Sequence, residues 1–255
     1  MQINYYNVYS KILNRNMEFK IYGSTGKPCI AFPSQNDRFY MYEDMGIINS
    51  MKKYIEDGTI QVICIDNYDY ESFSAIYRNP KDRIDAQERY YNYVMEEIIP
   101  FIKELNDYDG KYMTYGVSLG AYHAVNFFLR RPDVFDYVLA LSGIYHIGFF
   151  IPNYSDLNTF LNSPIDTLRH MASDHEYVEL YKKSRIVVCV GQGAWESDCY
   201  NDTKELEYGF KNLGVDCWFD YWSHEYVHDW PSWVIQTPHF LYYLLKDMER
   251  WLNMY

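Results

Sequence analysis

Apolar residues along this chain recur with two periods. Short, nearly continuous apolar runs bounded by glycine, proline or asparagine read as strands. Longer stretches with apolar residues three and four apart read as helices. Seven strands are expected: MEFKIYG from Met17, PCIAFP from Pro28, IQVICIDN from Ile60, YMTYGV from Tyr112, YVLALSG from Tyr137, RIVVCVG from Arg185 and DCWFDYW from Asp216. Several are apolar at consecutive positions, as parallel strands covered on both faces are.

Helical stretches fall between the strands. Asp82 to Leu105 carries Ile84, Tyr91, Val94, Ile98 and Leu105 near one stripe, with Pro100 expected to kink it. Gly120 to Arg131 gathers Ala121, Ala124, Val125, Phe128 and Leu129 on one face and stops before Pro132. Asp202 to Leu213 opens on DTKE, an aspartate-led capping box, and is followed by Gly214. A last helix is expected from Thr237-Pro238, with Leu241, Leu244, Leu245, Met248 and Leu252 on one side. This alternation predicts the α/β class, a mainly parallel central sheet with helices on both faces. Residues 144–184 break the rhythm with short helical segments and no strand. A helical insertion over the strand ends, where a site would be covered, is the expectation. No Gly/Ser-rich linker divides the chain, so one domain over residues 1–255 is expected.

Composition narrows the partners. Hydrophobic residues make up 48% and charged residues 23%, enough apolar surface for a sizeable core. The net charge is −12 and no basic cluster exceeds a pair, which argues against nucleic acid and anionic membrane as partners. The chain has no run of eighteen apolar residues, and MQINYYNVYSKILNRN lacks the pattern of a secretory signal. Cys29, Cys64, Cys189, Cys199 and Cys217 are odd in number and follow no metal-ligand spacing. The first three lie inside apolar runs, as buried free thiols do, and a cytoplasmic location is expected. The 29 tyrosines follow no period and are expected mostly at the surface and core margins.

Candidate chemistry centres on TYGVSLGAYHA. Gly116, Ser118 and Gly120 form G-x-S-x-G between a strand and a helix, with glycine where a side chain would clash across a sharp bend. Such a bend lifts Ser118 out of the sheet as a nucleophile, and the free N–H of Leu119 at the helix start can bind an oxyanion. A serine alcohol needs a base and an orienting acid. Beyond RIVVCVG comes QGAWESDCYND, with Glu196, Asp198 and Asp202; beyond DCWFDYW comes SHEYVHDWPSW, with His224 and His228. His228 is the better base, because its loop can fold back over the sheet and Asp229 and Pro231 resemble an anchoring helix start. His224 is second. Asp202 is assigned to capping, which leaves Glu196 first and Asp198 close behind. Trp195 beside Glu196 is expected to desolvate and position it. Trp195, Trp230 and Trp233 are candidates for a pocket wall, although packing of the loops is the plainer role for each.

GKPCIAFPSQNDRFYMYEDMG, YGVSLGAYHAVNFFLRRPDVFDYVLALSG, VGQGAWE and HDWPSW together resemble the putative-esterase family of α/β-hydrolases, whose members include S-formylglutathione hydrolase, feruloyl esterases and mycolyl transferases. The resemblance runs from about Met17 to the end of the chain. It implies the α/β-hydrolase fold, Ser118 as nucleophile, His228 as base and Glu196 as acid. It also implies a second oxyanion donor in the loop after PCIAFP, here the N–H of Gln35. The implied activity is cleavage of a small-molecule carboxylic ester, a sugar or aromatic ester among the options, through an acyl-enzyme with no metal or organic cofactor. Two rivals share the scaffold: acyl transfer to an alcohol by the same triad, and non-catalytic carbohydrate binding. The sequence leaves the oligomeric state open.

Overall fold

The computed structural model describes residues 1–246. Its elements run β1 (Ile3–Ser10), β2 (Arg15–Tyr22), β3 (Lys27–Phe32), α1 (Met41–Asp44), α2 (Ile47–Glu56), β4 (Ile60–Ile65), α3 (Pro80–Tyr93), α4 (Ile99–Leu105), β5 (Tyr112–Val117), α5 (Leu119–Arg130) and β6 (Phe135–Leu141). The short helices α6 (Leu157–Leu161), α7 (Pro164–His170) and α8 (Glu176–Lys182) follow, then β7 (Arg185–Val190), α9 (Ser197–Asn212), β8 (Trp218–Tyr221) and α10 (Trp230–Leu244). The strands form one sheet in the order β1-β2-β4-β3-β5-β6-β7-β8, parallel from β4 to β8 and antiparallel at β1–β2 and β2–β4. Among the described residues no helix is long and apolar enough to cross a membrane.

Alternate side chains of each central strand enter opposite cores, which is why these strands are apolar throughout. Ile30, Phe32, Ile63, Val138, Ala140 and Val188 pack with Tyr90, Phe127, Phe128 and Phe210 of α3, α5 and α9. Cys29, Ala31, Val62, Leu139 and Cys189 pack with Met51 and Ile55 of α2 and Phe240, Leu241 and Leu244 of α10 on the other face.

All seven expected strands are present, and β1 adds an eighth. Its segment, INYYNVYS, lies at the sheet edge with mostly exposed side chains, so it lacks the apolar continuity that marks the central strands. The helix expected from Asp82 starts at Pro80, capped by Asn79, whose side chain accepts the N–H of Asp82. Its interruption is a π-helical turn at Val94–Ile98, leaving Pro100 in the first turn of α4, where a missing N–H is tolerated. Between β6 and β7, Ile147, Phe150 and Ile151 pack on Phe73, Leu119 and Tyr122. Farther on, α6 touches α3, and α7 packs between α5 and α9.

Three other expectations change. The last helix begins at Trp230, not Thr237, with Asp229 as cap and Pro231 in its first turn; Pro238 sits inside it. Burial of Phe240, Leu241 and Leu244 holds the helix through that proline, while Met248 and Leu252 lie outside the described residues. Helix α9 begins at Ser197 rather than Asp202, and Gly214, at φ +66°, turns the chain beyond its end. Many tyrosines are core residues: Tyr22, Tyr90, Tyr115, Tyr122, Tyr145 and Tyr181 are all fully buried. The hydroxyls of Tyr90, Tyr122 and Tyr181 donate to backbone carbonyls, which satisfies the polar tip in an apolar setting.

Candidate active site

The bend between β5 and α5 is held by close backbone approach. A Cβ on Gly116 would lie 2.1 Å from the Gly120 carbonyl, and one on Gly120 would lie 2.2 Å from the Phe32 carbonyl oxygen. Only glycine allows α5 to start this close to β3 and β5. Ser118 takes φ 55° and ψ −124°, a strained conformation that costs on the order of 1–3 kcal/mol and persists because the surroundings impose it. Its N–H donates to the Leu141 carbonyl at 2.9 Å, and its carbonyl accepts from Ala121 at 3.0 Å. Tyr42 bridges the neighbouring strand ends, donating to the Phe32 carbonyl at 2.6 Å and accepting the Val117 N–H at 3.1 Å.

His228 reaches this bend from the loop after β8. Its N–H donates to the Ala194 carbonyl at 3.0 Å, and the Gly193 N–H donates to the Tyr226 carbonyl at 2.9 Å. A Cβ at Gly191 or Gly193 would collide with the Tyr226 carbonyl, so these glycines let the acid-bearing and histidine-bearing loops lie together. The result is a line of contacts: His228 Nε2 lies 2.8 Å from Ser118 Oγ, and Nδ1 lies 3.2 Å from Glu196 Oε2. Glu196 is 1% exposed, and its other oxygen accepts the Ser142 hydroxyl at 2.6 Å. The Trp233 indole N–H donates to Ser142 at 3.1 Å, so the buried carboxylate is tied into the sheet edge and α10.

The other candidates lie elsewhere. His224 Nδ1 sits 2.6 Å from the Gln192 carbonyl. Asp198 lines the pocket mouth, and Asp202 accepts the N–H groups of Tyr145 and His146 at 2.7 and 2.9 Å. Asp202 therefore docks the loop after β6 instead of capping a helix; the cap position belongs to Glu196, whose side chain turns toward His228. Trp195 is 87% exposed at φ 68° and cannot desolvate Glu196 as expected; the strand ends and α10 do. It lines the pocket, whereas Trp233 is buried and Trp230 packs edge-on against it and Tyr42.

The cavity in front of Ser118 measures about 230 Å³, lined by Gln35, Leu119, Ile144, Phe149, Phe150 and Trp195 among others. The Leu119 N–H opens α5, and among the described residues neither it nor the Gln35 N–H has an acceptor. The Gln35 loop is braced by the segment after β4. Buried Asp69 accepts the Asn36 N–H at 2.7 Å, the Gln35 amide donates to Ser74, and Asn67 donates to the Asp37 carbonyl. Burial pushes the Asp69 carboxyl up to about 7.

Sequence reasoning missed Ser142, Trp233 as a donor, Tyr42, Asp69 and Cys199. Ser142 carried one usable signal, a polar residue ending an apolar strand beside the bend. The others carried none, because their partners are distant in the chain.

A mostly parallel sheet with a strained, glycine-flanked serine after β5 and a histidine after β8 defines an α/β-hydrolase. The chain belongs to the esterase family whose description is "Putative esterase", matched over residues 10–241, and is thus an esterase-type hydrolase. Among solved structures it is similar to a ferulic acid esterase at 15% identity and TM-score 0.75, covering 96% of this chain and 98% of that one. It is also similar to S-formylglutathione hydrolase from Staphylococcus aureus at 15% identity and TM-score 0.70, covering 96% and 97%. A third is a ferulic acid esterase from Anaeromyces mucronatus in complex with ferulic acid, at 15% identity and TM-score 0.71, covering 96% and 90%. No curated protein matches the chain in sequence.

Proposed function

We propose that the protein is a serine esterase working through an acyl-enzyme, with Ser118 as nucleophile, His228 as general base and Glu196 as the orienting acid. The observation that supports this best is the contact line from Ser118 Oγ through both ring nitrogens of His228 to a buried carboxylate. In the proposed reaction His228 Nε2 takes the Ser118 proton as Oγ attacks the ester carbonyl. Glu196 holds the Nδ1–H tautomer and stabilises the imidazolium. The N–H groups of Leu119 and Gln35 receive the developing oxyanion. His228 then protonates the leaving alcohol, and water, activated by the same imidazole, releases the acid.

The cavity walls favour a flat apolar acyl or alcohol group, with Phe149, Phe150 and Trp195 as the faces it meets. An aromatic ester fits this lining, in line with the ferulic acid bound by one structural neighbour. We read residues 1–255 as one domain whose segment 144–184 contributes the Phe149–Phe150 wall. The five cysteines are free, which supports a reducing compartment such as the cytoplasm.

The test combines a fluorophosphonate probe with a panel of short-acyl, sugar and aromatic esters. The chain is expected to take one probe at Ser118 and to hydrolyse at least one ester class, and Ser118→Ala is expected to lose both while staying folded. Undiminished hydrolysis by Ser118→Ala refutes the assignment.

A further inference from the structure

A thiol that the proposed mechanism does not use lies against the histidine. Cys199, in the first turn of α9, is 2% exposed, with Sγ 3.6 Å from His228 Nδ1. The same nitrogen stands 3.2 Å from Glu196 Oε2. The sulfur, the nitrogen and a carboxylate oxygen all lie within 4.8 Å of one another, and among the described residues this is the one such cluster. Thiolate, imidazole and carboxylate are a donor set that zinc accepts. A tetrahedral zinc with bonds of about 2.3 Å to sulfur and about 2.0 Å to nitrogen and oxygen sets N···S near ~3.5 Å and N···O near ~3.3 Å. The distances here are 3.6 and 3.2 Å, so two edges of that polyhedron already stand at the needed length.

We propose that Cys199, His228 and Glu196 form an inhibitory site for a thiophilic divalent cation, with zinc as the fitting ion. The inhibition rests on the reading of His228 as the base for Ser118; the ion site itself does not. The ion enters through the pocket, whose wall includes Cys199, His228 and Asp198, and a water completes its shell. The chain's net charge of −12 favours its approach.

The bonds and protons balance simply. Cys199 releases its proton to solvent and bonds the ion through sulfur. The ring proton passes from Nδ1 to Nε2, and the freed Nδ1 lone pair bonds the ion. A dication, a thiolate and a carboxylate sum to zero charge, which suits a buried place. The His228 Nε2–H now faces Ser118 Oγ as a donor, so the imidazole cannot take the serine proton and turnover stops. Without the ion, burial and the nearby Glu196, Asp202 and Asp198 push the Cys199 thiol up. A bound dication reverses that local field.

Cobalt(II) serves as the spectroscopic probe, titrated into the full chain and into Ser118→Ala, whose inactivity does not affect the readout. One equivalent is expected to give a thiolate-to-cobalt charge-transfer band that zinc displaces in both proteins. Cys199→Ser is expected to lose the band and to bind zinc about a hundredfold more weakly or worse; Cys199→Ala serves if the serine variant misfolds. Cys217→Ser, just before β8 and outside both the pocket lining and the donor cluster, is expected to keep the band. Zinc should suppress ester turnover in the full chain and a chelator restore it, while the Cys199 variants show the same rate with and without zinc. Absence of the band, its survival in the Cys199 variants, or equal zinc inhibition of those variants overturns the site. A cobalt band in a chain that, when freed of metal, neither hydrolyses esters nor takes fluorophosphonate leaves the ion site standing and refutes the Ser118 acyl-enzyme reading.

Discussion

Replacing Glu196 by glutamine separates the two acids that sequence reasoning held nearly even. The substitution keeps the size of the side chain and removes its charge. In the proposed transition state His228 becomes an imidazolium with Nδ1 3.2 Å from the Glu196 oxygen. At an effective dielectric of about 20, a charge pair at that distance is worth about 5 kcal/mol. Converted at about 1.4 kcal/mol per decade, this is a loss of roughly 10³–10⁴ in kcat, a scale that loss of the orienting carboxylate reaches in a well-studied triad. The amide also offers N–H to Nδ1, which favours the wrong imidazole tautomer. Asp198, at the pocket mouth, lacks any contact with the ring, so Asp198→Asn should change kcat by no more than about threefold, the scale of a weak exposed charge effect. The assay is kcat on a chromogenic ester for both variants, with a thermal unfolding midpoint for each. The midpoint of Glu196→Gln should change little, because the amide keeps the size of the side chain and its oxygen still accepts the Ser142 hydroxyl. A loss below about tenfold in Glu196→Gln, or an equal loss in Asp198→Asn, refutes this electrostatic reasoning.

Two further outcomes test the frame around the triad. Gly120→Ala puts a Cβ 2.2 Å from the Phe32 carbonyl oxygen and 2.9 Å from that of Pro33, so α5 must retreat. Urea unfolding should show a loss of about 3 kcal/mol, and a change under about 0.5 kcal/mol contradicts the close-approach argument. Asp69 is a carboxyl raised from 3.8 to about 7 by burial, so its contribution to stability is fully present below about pH 4 and is lost as pH rises through about 7. Unfolding midpoints across that range should fall for the wild type relative to Asp69→Asn, whose amide oxygen still accepts the Asn36 N–H; parallel curves contradict the shifted carboxyl.

Much of this was legible in linear form. The seven apolar runs, the Gly116-Ser118-Gly120 bend and the helix after it depend on contacts among near neighbours in the chain, and local sterics and periodicity suffice for those. The same holds for Asp229 and Pro231 as a helix start. Local signals failed where two competed. Thr237-Pro238 and Asp229-Trp230-Pro231 both look like helix starts, and burial of Ser232, Trp233 and Gln236, which lie between them, favours the earlier one. DTKE looks like a capping box, yet Asp202 finds two backbone donors beyond β6 that no local pattern announces.

The pattern of side chains along the chain was sufficient for the mainly parallel α/β architecture and for the glycine-flanked bend at Ser118, because a strand, a bend and a helix state themselves within a dozen residues. The contact of Glu196 with His228, the Ser142–Trp233 brace behind it and the thiol of Cys199 beside His228 arose only when strands β5 to β8 were laid side by side. Those contacts join residues separated by 29 to 91 positions. Their distances are set by sheet register and loop packing, which the order of residues does not display.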